Sequence, residues 1–108
     1  MPEFRTVCRV DQLVENIGHV VYVGDHPIAI FRVGDQFFAI DDTCPHMGAS
    51  LAAGFVEHGT VTCPWHFWRF RLEDGKWADN PRLGIGCYPV RLVGEEVQIA
   101  VDEPGLEG

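Results

Sequence analysis

No apolar run in this chain is long enough to span a bilayer, which takes about 18 or more consecutive apolar residues as a helix. Positive charge is scarce, with 8 Lys and Arg against 16 Asp and Glu and a net charge of −8. Nucleic acid demands a basic face, so nucleic-acid binding is not expected. The opening Met1-Pro2-Glu3-Phe4-Arg5 lacks the basic and apolar regions of a secretory signal, which leads to the expectation of a cytoplasmic protein. No glycine-rich phosphate loop follows a strand and opens a helix. No Ser/His/Asp set is readable, so no catalytic constellation of its own is expected. Repeats, low-complexity segments and long amphipathic helical periods are missing too.

What is present fits one domain over residues 1–108 with a core of its own, since 46% of the residues are apolar. The acidic residues come in pairs: Asp41-Asp42, Glu73-Asp74, Glu95-Glu96 and Asp102-Glu103. They read as a solvated surface. The alternative is an acidic face that steers a basic partner, an effect that salt weakens.

Short β-rich runs alternate with turn residues along the chain. Strands are predicted at Phe4–Val10, His19–Val23, Ile28–Val33, Gln36–Asp41, Phe55–Glu57, Thr60–Thr62 and Trp68–Leu72. Tyr88–Val93 and Glu96–Val101 follow, and Trp77 starts a return strand. Asp11–Gly18 reads as a polar turn or short helical piece. Gly24-Asp25-His26-Pro27, His58-Gly59 and Glu73-Asp74-Gly75-Lys76 read as turns, and Asn80–Gly86 as a loop. The tail 104–108 is expected to be flexible. About ten short strands with no convincing helix predict an all-β sandwich or partly open barrel.

Two loops interrupt this series. One carries Cys44-Pro45-His46 and the other Cys63-Pro64-Trp65-His66, with a spacer of 16 residues between His46 and Cys63. Thiolate and imidazole suit iron–sulfur or zinc and poorly suit calcium or magnesium. Two Cys/His pairs at such spacing point to a metal site built as a small subdomain, about residues 43–70, set into a larger β framework. The four side chains could close a tetrahedral zinc site. They could equally hold a [2Fe–2S] cluster, with two thiolates on one iron and two imidazoles on the other. Spacing leaves both open. Cys8 and Cys87 lie in strand-like stretches and read as small buried thiols, with a disulfide between them as the alternative. His19, His26 and His58 have no cysteine neighbours and read as non-ligands. Trp77, Tyr88 and the Phe37-Phe38 pair read as core.

Cys44-Pro45-His46-Met47-Gly48-Ala49-Ser50-Leu51 and Cys63-Pro64-Trp65-His66 closely resemble the two cluster loops of Rieske [2Fe–2S] proteins. Phe37–Ile40, Trp68-Arg69-Phe70 and Tyr88–Leu92 also look like that family, so the resemblance covers nearly the whole chain. It implies a Rieske-type antiparallel fold and one [2Fe–2S] cluster. Cys44 and Cys63 would bind one iron, and His46 and His66 the other through Nδ1. High-potential relatives carry an extra cysteine in each loop, joined as a disulfide; the matching positions are Ala49 and Trp65. They also place Ser and Tyr hydroxyls after the second loop, where this chain has Trp68 and Phe70. Fewer hydrogen bonds to the cluster imply the lower end of the Rieske range, about −150 mV. Phe67 stands where relatives often have glycine. It is read as local packing or, with Met47 and Trp65, as an apolar contact patch for a partner.

The resemblance implies a low-potential ferredoxin, carrying one electron from a flavin reductase to a terminal oxygenase. A small Rieske-like subunit of NAD(P)H-dependent nitrite reductase has similar length, and Trp68-Arg69-Phe70 resembles that group as well. In that case the partner is a large nitrite reductase subunit. A zinc-stabilised interaction module is the third reading. Neither membrane nor nucleic acid is expected as a partner.

Overall fold

The computed structural model describes residues 4–44, 48–65 and 67–100. Among these residues twelve strands run in the order β1 (Phe4–Arg9), β2 (His19–Val23), β3 (His26–Val33), β4 (Gln36–Asp41), β5 (Phe55–Glu57), β6 (Thr60–Thr62), β7 (Arg69–Arg71), β8 (Lys76–Trp77), β9 (Asn80–Gly84), β10 (Cys87–Tyr88), β11 (Val90–Val93) and β12 (Glu96–Ala100). Two single 3-10 turns, Val10–Gln12 and Leu51–Ala53, are the only helical pieces among the described residues. No helix there is long and apolar enough to cross a membrane.

The strands form three antiparallel sheets, ordered β1-β12-β11, β10-β4-β3-β2 and β5-β6-β7-β8-β9. The four-stranded sheet is the middle layer, because it buries both faces. Successive side chains of a strand point to opposite faces. Along β3, Ile28 and Ile30 therefore enter a core with Val21, Val23, Val97 and Ile99. Ala29 and Phe31 enter a second core with Leu51, Val61, Phe70 and Leu72. Ala39 and Ile40 of β4 divide in the same way. Burial on both faces explains why Ile28–Phe31 is an unbroken apolar run. The first core faces the β1-β12-β11 sheet, and the second faces the five-stranded sheet that carries the second Cys/His loop. The predicted all-β sandwich is what the chain adopts.

Several local expectations differ from the structure. The turn expected over residues 24–27 is only Gly24-Asp25, a two-residue hairpin loop with Gly24 at φ +62°. His26 and Pro27 already belong to β3, where they pair with Val23 and Tyr22. Pro27 lies past the end of β4, so its missing N–H costs no ladder bond; its carbonyl accepts from the Asp42 N–H (3.2 Å). Asn80–Gly86 is not a loop throughout: Asn80–Gly84 is an edge strand on β8. An exposed edge tolerates Pro81. The strand expected over Tyr88–Val93 is split at Pro89, which has no N–H. β10 joins the middle sheet and β11 the outer one. Of the last predicted strand Glu96–Ala100 is seen, while Val101 and the tail lie outside the described residues.

Candidate metal centre

The two Cys/His loops share one backbone design. In the first, the Cys44 N–H donates to the Ala49 carbonyl (2.9 Å) and the Gly48 N–H donates to the Cys44 carbonyl (2.8 Å). In the second, the Cys63 N–H donates to the Trp68 carbonyl (2.7 Å) and the Phe67 N–H donates to the Cys63 carbonyl (2.9 Å). Each loop thus closes on its own cysteine at the fourth and fifth residues beyond it. Each also needs a left-handed residue at the fourth place, which is Gly48 (φ +75°) in one and Phe67 (φ +60°) in the other. Glycine adopts that conformation at no steric cost, whereas an L side chain pays about 1–2 kcal/mol.

Asp42 anchors the first loop. It is 6% exposed. Its Oδ1 accepts the Ser50 hydroxyl and the Ala52 N–H, both at 2.8 Å, and its carbonyl accepts the Leu51 N–H at 2.6 Å. The ends of the loop are also bridged at Thr43 and Ser50. β6 delivers the second loop, with Val61 buried and paired to Phe70. Gly54 lies so close to β6 that a Cβ there would collide with the Thr62 carbonyl oxygen. That contact ties the exit of the first loop to the strand leading into the second.

Cys44 and Cys63 are both 0% exposed and both belong to the core between the middle and five-stranded sheets. No disulfide joins any of the four cysteines, all of which lie among the described residues. His46 and His66, with Pro45 and Met47, lie outside the described residues. Trp65 (59%) and Phe67 (70%), which flank His66 in sequence, are exposed. Phe67 is therefore not held by local packing. Trp68, by contrast, stacks on Trp77 with ring centroids 4.0 Å apart and planes at 12°, and Phe70 is buried. The positions that lack hydroxyls are filled by aromatic core.

Cys8, Cys87, His26 and His58 sit on other elements. Cys8 is buried in the first core, and desolvation raises its thiol above the ordinary range. Cys87 corrects an expectation, since it is exposed and not a buried thiol. Its Sγ nevertheless tucks against the Glu73 carbonyl (3.3 Å). Partial burial first, and then the Asp74 charge, raise that thiol too. His26 faces Asp41 and Tyr88. His58 sits in the β5–β6 turn at φ +51°.

Sequence reasoning missed the Asp41-Asp42 pair by reading it as solvated surface. Asp42 is buried, and Asp41 accepts three hydrogen bonds. The available signal was position: two carboxylates directly ahead of a Cys/His loop, with a serine near that loop's end.

The described part of this donor set fits an iron–sulfur group. It offers two soft thiols, buried and not disulfide-bonded, on two matched loops in one core. The Rieske [2Fe-2S] domain family matches residues 3–89 of the chain. The anthranilate 1,2-dioxygenase ferredoxin subunit of Burkholderia cepacia is 33% identical over 102 residues, 94% of this chain and 94% of that protein. A chain from the complex of reduced oxygenase and oxidized ferredoxin in carbazole 1,9a-dioxygenase superposes with a TM-score of 0.80 at 34% identity, covering 90% of this chain and 92% of that one. A chain from Mycobacterium tuberculosis described as an NADH-dependent nitrite reductase small subunit superposes with a TM-score of 0.86 at 28% identity, covering 95% and 98%.

Proposed function

We propose that this chain, which belongs to the Rieske [2Fe-2S] domain family, is a soluble ferredoxin that carries one electron between a flavin reductase and a terminal oxygenase. Its cofactor is one Rieske-type [2Fe–2S] cluster, so the zinc alternative gives way. We assign Cys44 and Cys63 to one iron and His46 and His66 to the other. The observation that carries the assignment is the pair of fully buried thiols, held apart from any disulfide on two loops with the same hydrogen-bond pattern. When bound, the cluster supplies one-electron redox chemistry.

The protein's own residues shield and present it. Leu51, Val61 and Phe70 exclude water behind the thiols. Asp42 and Gly54 fix the spacing of the loops. Trp65 and Phe67 offer exposed apolar surface on the second loop, which suits brief docking of a partner. Residues 1–108 are read as one domain, with the cluster-binding part over about 43–70. A cytoplasmic location is part of this reading, since thiols that hold iron are kept free most readily in a reducing compartment.

Iron and sulfide analysis with an EPR spectrum of the reduced protein tests the ligand reading. Two iron and two sulfide per chain with a Rieske-type signal are expected, whereas stoichiometric zinc would overturn it. The likeness to the nitrite reductase small subunit favours one second reading, a subunit of such an enzyme. Electron delivery by the reduced protein separates the two. Turnover with a terminal oxygenase supports the ferredoxin. Stimulation of a large sirohaem nitrite reductase subunit, with none of the oxygenase, supports the second.

A further inference from the structure

Outside the cluster loops, His26, Asp41 and Tyr88 form a half-buried network joining three strands of the middle sheet. Asp41 ends β4, three residues before Cys44. Its Oδ1 accepts the Tyr88 hydroxyl and the His26 Nε2–H (2.7 Å), and the same Nε2 lies 3.0 Å from the Tyr88 oxygen. A carboxylate only accepts, so the imidazole proton is on Nε2 and is shared between the two oxygens. The Asp41 Oδ2 accepts the Gly86 N–H (2.7 Å), and the Asp41 N–H donates to the Gly86 carbonyl (2.9 Å). His26 meets Tyr88 edge to face, with centroids 6.1 Å apart. A Cβ on Gly86 would collide with the Tyr88 phenol and the Asp41 carboxylate, so the backbone comes as close as glycine allows.

The position of this network gives it meaning. Asp41 is where the chain leaves the middle sheet for the first loop, and Gly86 is where it returns after β9. Everything between them carries both cysteines and the five-stranded sheet. The returning strand β10 has only two residues paired to β4, and Pro89 beyond it has no N–H to extend the ladder. Backbone pairing alone therefore holds this return weakly. Joining the two ends of a long segment restricts everything it encloses.

We infer that His26, Asp41 and Tyr88 are positioning residues: a clamp that fastens the outgoing chain at Asp41 to the returning chain at Gly86 and so holds the two cysteine loops in register. The clamp rests on the proposed ligand set only for its effect on the cluster; its effect on the loops is independent of it.

Native-state amide exchange of Asp41→Asn, His26→Gln and Tyr88→Phe tests it, with Val97→Ala in the other core as a control matched for loss of thermal stability. Exchange at the Gly86, Cys44 and Cys63 amides is expected to speed up about tenfold or more in the clamp variants beyond the control. The rate at which chelator bleaches the visible absorbance should rise with it, and the EPR g-values of the reduced protein should shift. Equal protection in clamp variants and control overturns the clamp. A wild-type protein without the Rieske signal overturns the ligand assignment, while the exchange comparison still decides the clamp. Tyr88→Phe and His26→Gln remove little volume, so the test stands even if Asp41→Asn fails to fold.

Discussion

Gly48 and Phe67 occupy the same place in two matched loops. Each N–H closes onto the carbonyl of the cysteine four residues earlier, and each residue has a positive φ, +75° and +60°. The loops are thus built alike, but one ends its turn with the residue the backbone prefers and the other with a phenyl ring that is 70% exposed. Strain at an exposed site invites a functional explanation, because among the described residues that ring is exposed and joins neither core.

Phe67→Gly separates the two roles. Release of about 1–2 kcal/mol of left-handed strain is partly offset by the extra entropy of glycine in the unfolded chain. Thermal unfolding should show stability unchanged or raised by up to about 1 kcal/mol. Affinity for the electron-transfer partner should fall about tenfold, since an exposed aromatic at an interface often anchors it. Clear destabilisation with unchanged affinity would return Phe67 to a packing role.

Ligand removal is more drastic. Cys63→Ser and His46→Cys should each abolish the native visible and EPR signature, because thiolate and imidazole set the electronic asymmetry of the Rieske cluster. Either variant keeping the wild-type spectrum would take its residue out of the ligand set.

The reduction potential should lie at the low end of the Rieske range, about −150 mV. Trp68 is stacked on Trp77 and Phe70 is buried in the core, so neither supplies a hydroxyl near the second loop. Ala49 is buried and offers no sulfur for a loop disulfide. Protein-film voltammetry near neutral pH checks this, and a potential above +100 mV or so would place the chain with the high-potential Rieske proteins.

Tyr88 predicts an alkaline effect. Burial, then its hydrogen bond to Asp41, and then the Asp41 and Cys87 charges push the phenol well above its ordinary range. The folded state therefore keeps a proton that an unfolded tyrosine gives up near pH 10, roughly. The contribution is fully present below that pH and is lost as the pH climbs towards the higher folded value. Chemical denaturation from about pH 9 to 11.5 should show wild type losing stability more steeply than Tyr88→Phe. Parallel curves would mean that the phenol ionises freely in the folded protein.

Most strands, and the two Cys/His loops as a candidate metal site, were legible in the residues, because their causes are local. Cys44-Pro45-His46 and Cys63-Pro64-Trp65-His66 mark a soft-metal site by residue type and spacing, and their resemblance to the Rieske loops separates a [2Fe–2S] cluster from zinc. Turns at Gly24, Gly34, Gly59 and Gly94 need a left-handed backbone that glycine supplies without strain. The apolar run Ile28–Phe31 already signalled a strand. Other features depend on what comes alongside from far along the chain. β9 exists because β8 offers it a partner, not because Asn80–Gly84 favours a strand. Pro89 divides one apparent strand between two sheets. Asp41 and Asp42 look like surface acids until Gly86, Tyr88, His26 and Ser50 surround them. Phe67 reads as local packing or as a contact patch until its exposure decides against packing. In each case the deciding interaction is a hydrogen bond or burial contributed by another element, and local propensity has no access to that.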